Sequence, residues 1–282
     1  MKISVSSYSF SQMMQNEGLT QKGCIEKAKE LGFDAIDFAE INTPEGMDIK
    51  DYVLELAEEA KRVGIEIQSF ALGADFINND TEEEIKRICS LIDVIALTDA
   101  KVIRHDATQG NKNISFDRAL PILADACRRI AEYAQTKEIK TTVENHGFFS
   151  QDSDRVERLY NAVNHPNFGL LVDIGNFTCA DEKPEIAVGR VAPYAAYVHV
   201  KDFHIKSAEG TDPGEGFFTS RNGTYLRGAI IGHGNVPVRQ CLRTLKKAGY
   251  EGNCAVEFEG IEHPLTGLRI GLANLKRYLE EA

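Results

Sequence analysis

The sequence predicts a (β/α)8 barrel, and three observations carry that prediction. A phrase of helix, glycine and strand recurs along the chain. The strand-like runs end in acidic, amide or imidazole side chains. Finally, 282 residues divided over eight such units leave about 35 per unit, the usual length of a barrel repeat. The reading is one domain over residues 1–282, with a long loop between strand seven and helix seven. A doubly wound open sheet is the alternative. No Gly-x-Gly-x-x-Gly turn follows the first strand, and the polar strand ends are spread over many units, which disfavours it.

In chain order, residues 2–10 read as the first strand and its loop. A helix from about Thr20 to Leu31 stops at Gly32, a left-handed cap, and strand two follows as Phe33-Asp34-Ala35-Ile36-Asp37-Phe38. The phrase returns as Lys61-Arg62-Val63-Gly64 before the strand Ile65 to Phe70, and again as Lys247-Ala248-Gly249 before Ala255-Val256-Glu257. A helix from about Thr81 to Leu97 feeds Lys101-Val102-Ile103-Arg104-His105. The next helix ends near Lys137, with Pro121 either starting or kinking it, and feeds Thr141-Thr142-Val143-Glu144. Helices over about 153–163, 184–191, 236–248 and 264–280 complete the count. Residues 203–235 are rich in glycine and polar residues and break the rhythm, which predicts a long loop over the barrel mouth.

Composition narrows the function. The chain is 43% hydrophobic and 27% charged, an ordinary globular balance. A formal charge of −11 lacks the basic surface that nucleic acid or an anionic membrane requires. A small polyhydroxylated or cationic ligand fits better. The amino terminus has no apolar core of signal-peptide length and no run reaches membrane-spanning length, so the expected location is the cytoplasm. The six cysteines are scattered without a Cys-x-x-Cys pair and fall on apolar positions, as buried reduced thiols do.

Four strand ends carry the chemistry. Glu144 closes the fifth strand, Asp173 the sixth and Glu257 the eighth, and His199 lies in the seventh. In a barrel these side chains reach the same end, and adjacent strands are roughly 5 Å apart, so the four converge on one cation. Taken singly, each has a blander reading as a neutralised rim charge or a hydrogen-bonded core histidine. As a set, three acids without a cation would repel one another. Three carboxylates and an imidazole suit Mn2+ first, then Mg2+, Co2+ or Zn2+.

The runs Val143-Glu144-Asn145-His146-Gly147, Val172-Asp173-Ile174-Gly175-Asn176, Val198-His199-Val200-Lys201-Asp202, Gly232-His233-Gly234-Asn235-Val236 and Val256-Glu257-Phe258-Glu259 resemble the xylose-isomerase-like TIM barrels, a group of sugar isomerases and epimerases. The resemblance covers most of the chain. It implies that Glu144, Asp173, His199 and Glu257 hold a divalent metal, and that the two glutamates move protons on opposite faces of a ketose, sugar phosphate or keto-polyol through an enediolate. A base on each face inverts the centre. His146 is a candidate acid or base. Glu40, His105, Asn176, Lys201 and Arg221 are candidates for holding substrate oxygens, against plainer roles as loop supports and solvated or paired charges.

One departure stands out, since many family epimerases carry histidine three residues after the aspartate ligand, where this chain has Asn176. Relatives also include lyases, inosose dehydratase-like or C-glycoside-cleaving, in which the enediolate expels a substituent, and endonuclease-IV-like repair enzymes. The missing histidine and the net charge disfavour the repair enzyme, and the complete ligand set disfavours a non-catalytic sugar-binding barrel. Homo-oligomers are common among such relatives.

Overall fold

In a computed structural model describing residues 1–282, eight parallel strands close on themselves. They are β1 (Ile3–Ser6), β2 (Ala35–Phe38), β3 (Glu66–Leu72), β4 (Val102–His105), β5 (Lys140–Glu144), β6 (Phe168–Asp173), β7 (Ala195–Val200) and β11 (Cys254–Val256), and β11 pairs with both β7 and β1. The expected barrel is therefore the observed one. Around it run α1 (Ser11–Glu17), α2 (Gln21–Leu31), α3 (Ile49–Val63), α4 (Thr81–Ile95), α5 (Phe116–Gln135), α6 (Ser153–Val163), α7 (Pro184–Val191), α8 (Val238–Lys247) and α9 (Pro264–Glu281).

The helices begin where short polar side chains can accept from free backbone N–H groups. Thr20 caps α2, Asp48 α3, Asp80 α4 and Ser115 α5. Gly32 and Gly64, at φ of 87° and 75°, end α2 and α3 in the left-handed conformation. Pro121 neither starts nor ends α5. Ser115 supplies the cap, and Pro121 sits one turn further in, where its missing N–H costs one helical hydrogen bond.

Side chains alternate between two environments along each strand. Outward residues such as Phe70, Ile103 and Val198 pack against the helices in one continuous apolar core. Removing a side chain the size of Ile88 from this layer would cost about 2–5 kcal/mol. Inward residues form a separate, smaller layer of Leu171, Tyr197 and Ala255, with Val102 against them. Asp37 joins this floor, accepting from Tyr197 Oη at 2.7 Å and Ser4 Oγ at 3.1 Å. Two residues further along the same strands, the inward positions become Arg104, Asp173, His199 and Glu257, so the floor's periodicity aims them at the mouth.

Residues 203–235, expected as a loop, instead carry most of a three-stranded antiparallel sheet. Its strands are β8 (Asp202–Lys206), β9 (Phe218–Thr219) and β10 (Tyr225–Ala229), with β10 in the centre. Strands this short between glycine-rich turns leave little period-two signal, which hides them in the sequence. Asp202 ties both ends of the excursion together. Its Oδ1 accepts from Phe203 N and Val236 N at 2.8 and 3.0 Å, and its Oδ2 from Gly232 N and Gly234 N at 2.8 and 2.9 Å. A Cβ on Gly234 would lie 2.2 Å from Asp202 Oδ1, so only glycine fits there. No helix is long and apolar enough to cross a membrane.

Candidate metal centre and substrate cavity

Glu144, Asp173, His199 and Glu257 are all buried, and each offers a ligand atom within 4.8 Å of the others. The structure thus brings together the four side chains singled out at the strand ends. Register explains how. Asp173 on β6 lies opposite His199 on β7, His199 lies opposite Ala255 on β11, and Glu257 stands two residues beyond Ala255. Backbone and hydroxyl donors set two of the carboxylates in turn. Asp173 Oδ1 accepts from Gly175 N at 2.8 Å and Asn176 N at 2.9 Å, and Ser6 Oγ donates to Glu257 Oε1 at 3.1 Å. The Gly175 turn runs against β7, where a Cβ would approach Lys201 O to 2.9 Å.

The donor set fits a divalent cation on two observations. First, Asp173 Oδ2 and both ring nitrogens of His199 are buried without a hydrogen-bond partner, an arrangement that folded proteins avoid unless the atoms have another use. Second, the cluster attracts positive charge. Although burial opposes it, Glu257, Glu144 and Asp173 lift the His199 imidazole to about 9. Burial raises the Asp173 carboxyl. Burial also works against ionising Glu257, yet Lys201 and His199 hold it well below the usual carboxylate range. His199 Nδ1 is 3.7 Å from both Glu144 Oε1 and Glu257 Oε2.

The acids open onto a cavity of about 210 Å³. Lys201 is buried at its edge, with Nζ 2.7 Å from Glu257 Oε2 and 3.5 Å from Asp173 Oδ2, and it donates to Asn176 Oδ1 at 3.2 Å. Asn176 Nδ2 donates to Glu144 Oε1 at 3.1 Å. In the position where the family pattern has a histidine, an amide thus links Glu144 to Lys201. His146 lines the cavity half-exposed, 3.7 Å from Asp106 Oδ1, and that carboxylate raises its affinity for a proton.

Three of the expected substrate contacts lie elsewhere. His105 faces the helices, not the cavity. Its ring meets Phe76 edge-on at 6.0 Å, Nδ1 lies 2.8 Å from Asp106 O, and burial pushes it down to about 4, so it is neutral. Glu40 lies two residues past the end of β2, exposed, with its carbonyl accepting from Gln21 Nε2 at 2.7 Å. Arg221 pairs with Asp152 at 2.6 Å and donates to Phe148 O, so it joins the small sheet to the β5–α6 connection instead of lining the cavity. Arg104 takes the place given to His105. It lines the cavity with Nη2 2.8 Å from Glu144 Oε2 and 3.0 Å from Asp106 Oδ1. Tyr8 and Glu259 line it too. The signal for Arg104 was parity, since it stands two residues after inward Val102.

Fold and site together define a (β/α)8 barrel with a carboxylate and imidazole cluster at the carboxyl ends of its strands. The family described as xylose isomerase-like TIM barrel matches residues 25–278, and the chain belongs to that family. It is 22% identical to L-ribulose-5-phosphate 3-epimerase UlaE of Salmonella heidelberg, over 84% of this chain and 82% of the relative. It is 24% identical to inosose dehydratase 1 of Bacillus cereus, over 53% of this chain and 50% of that one. Among solved structures, the IOLI protein with a binding zinc atom superposes with a TM-score of 0.78 at 16% identity, covering 100% of this chain and 99% of that one.

Proposed function

We propose that this chain is a divalent-metal-dependent isomerase or epimerase that moves a proton next to the carbonyl of a ketose or keto-polyol. One observation carries the reading: Glu144 and Glu257, set three strands apart around the barrel, edge one cavity with His199 Nδ1 3.7 Å from each. A carboxylate on either side of a substrate can take a proton from one face and return it to the other. A divalent cation held by Glu144, Asp173, His199 and Glu257 would supply Lewis-acid polarisation of the carbonyl. The oxygen-rich, thiolate-free donor set favours Mn2+, with Mg2+, Co2+ and Zn2+ as alternatives.

The remaining side chains orient and balance charge. Arg104 holds Glu144 from the β4 side, and Lys201 holds Glu257 from the β7 side. Lys201 and His146 line the space a substrate oxygen would occupy, within reach as donors. The net charge of −11 fits a small sugar or polyol as partner better than a nucleic acid.

A lyase is the second reading, favoured by His146. Half-exposed at the rim and primed by Asp106 to carry a proton, it could protonate a departing hydroxyl. Incubation of the Mn2+-loaded protein with ketoses and keto-inositols in deuterated water separates the two. Deuterium next to the carbonyl without loss of water is the isomerase outcome, and loss of water is the lyase outcome. Neither exchange nor dehydration with any of them overturns both.

A further inference from the structure

A second lobe of about 190 Å³ opens off the 210 Å³ cavity. It lies between the β5–α6 connection and the small sheet. His146, Lys201 and Glu259 line both lobes, which places the two side by side. Either lobe alone is smaller than the roughly 300–1,000 Å³ that encloses a drug-sized ligand, and the two together reach that range.

Two aromatic rings line the second lobe in spite of their exposure, Phe148 at 45% and Phe218 at 41%. Phe218 is held through its ring and Phe148 through its backbone. Phe218 meets the fully buried Phe203 edge-on at 5.7 Å. Phe148 has φ of 60°, a left-handed conformation that is strained for a bulky side chain. Its N donates to Gln151 Oε1 at 2.7 Å, and its carbonyl accepts from Arg221. Strain maintained by several partners at a cavity mouth points to a use for the side chain there.

Several polar groups around this lobe are already committed, while Glu259 is 3.7 Å from Lys201 Nζ. Gln151 Nε2 donates to Asn176 O at 2.9 Å, while its Oε1 serves Phe148. Asn176 is engaged by Glu144 and Lys201 through its two side-chain atoms. Of the cationic groups, Lys201 and His146 line the lobe and face Glu257 and Asp106 at 2.7 and 3.7 Å, and Arg221 on the small sheet is paired with Asp152. What the lobe adds to the cavity is ring faces, while each of the cations at its edge already faces a carboxylate.

We propose that this lobe is a subsite for an aromatic substituent carried by the reacting sugar, so that the substrate is an aryl-substituted sugar instead of a free or phosphorylated one. The proposal rests on the sugar reading above and narrows its substrate class. Ring-on-ring contact of this kind is worth roughly a factor of ten in affinity.

Calorimetric titration of the Mn2+-loaded full chain with the 3-keto forms of phenyl and of methyl β-D-glucopyranoside tests it. The expected result is a phenyl-to-methyl preference of about tenfold, falling to near one in the Phe148→Ala/Phe218→Ala double variant, whose folding is checked by its thermal transition. Equal affinities in the parent protein, or a preference that survives the double substitution, overturn the subsite while leaving the sugar reading intact. Tighter binding of the glucose 6-phosphate parent than of the phenyl glycoside also overturns it. Binding of none of the three overturns the subsite, and the deuterium experiment then decides separately whether the sugar reading stands.

Discussion

Arg104 Nη2 stands 2.8 Å from Glu144 Oε2, with both side chains buried at the ends of neighbouring strands. A buried carboxylate stripped of its partner is costly, about 3–5 kcal/mol. Arg104→Met is therefore expected to lower stability to urea by that amount in the metal-free protein. The same change made in a Glu144→Gln background should cost much less. Additive losses in this double-mutant cycle would show that the two side chains do not act as a pair.

The proposed metal ligands predict a linked pair of effects. Mn2+ at one hundred times its dissociation constant should stabilise the native chain by about 2.7 kcal/mol, seen as a rise in the thermal transition. Asp173→Ala and His199→Ala should abolish that rise and leave the purified protein without stoichiometric metal. A variant that keeps both would remove its residue from the ligand set.

Asp37, in the barrel floor, gives a pH signature. Burial pushes its carboxyl up to about 6 from 3.8, so the native chain holds this proton more tightly than the unfolded chain does. Its contribution is complete below about pH 4 and is lost as pH rises to about 6, by up to about 3 kcal/mol at 1.36 kcal/mol per unit. In chelator, Asp37→Asn should remove that slope between pH 4 and 6 and be no less stable than the parent at pH 7. An unchanged slope would assign the titration to another group.

The thiols should be slow to react. Burial pushes Cys24, Cys179, Cys241 and Cys254 up to about 12, and Cys127 is raised by burial as well. A disulfide reagent at pH 8 is expected to label no more than Cys89, the half-buried one, in the native protein and all six cysteines in guanidinium. Rapid labelling of several native thiols would contradict the packing around them.

Asp202→Ala is expected to be among the most damaging single changes outside the cavity. It leaves four backbone N–H groups without their acceptor. About 1–3 kcal/mol for each buried group left unpaired, softened where water can enter, predicts a loss of about 3 kcal/mol or more. Protease sensitivity should appear first within residues 203–235. Cleavage beginning elsewhere would show that Asp202 does not anchor the small sheet.

The barrel and its four acid and imidazole strand ends were legible because each of those strands changes from apolar to polar at its carboxyl end, a local signal that needs no knowledge of partners. Arg104 was hidden for a geometric reason. Choosing between adjacent Arg104 and His105 requires knowing which face of β4 looks inward, and a one-residue error exchanges barrel interior for helix packing. That face becomes evident only once Val102 is seen against Leu171 and Tyr197. Glu40 and Arg221 failed differently, because their positions depend on how loops close over long sequence distances, as Arg221 does on reaching Asp152. The strands within 203–235 left too short a pattern to be read.

The layer of Leu171, Tyr197, Ala255 and Val102, with Asp37 and Ser4 bonded to Tyr197, seals the base of the cylinder. The cavity above this layer is therefore reached from the rim. On the function proposed above, product would depart by the route substrate arrived, and each turnover would end in an exchange through the rim. Enlarging the accepted molecule is likewise a matter for the rim alone, because the bottom cannot be hollowed without dismantling the hydrogen-bonded plug that holds the staves together.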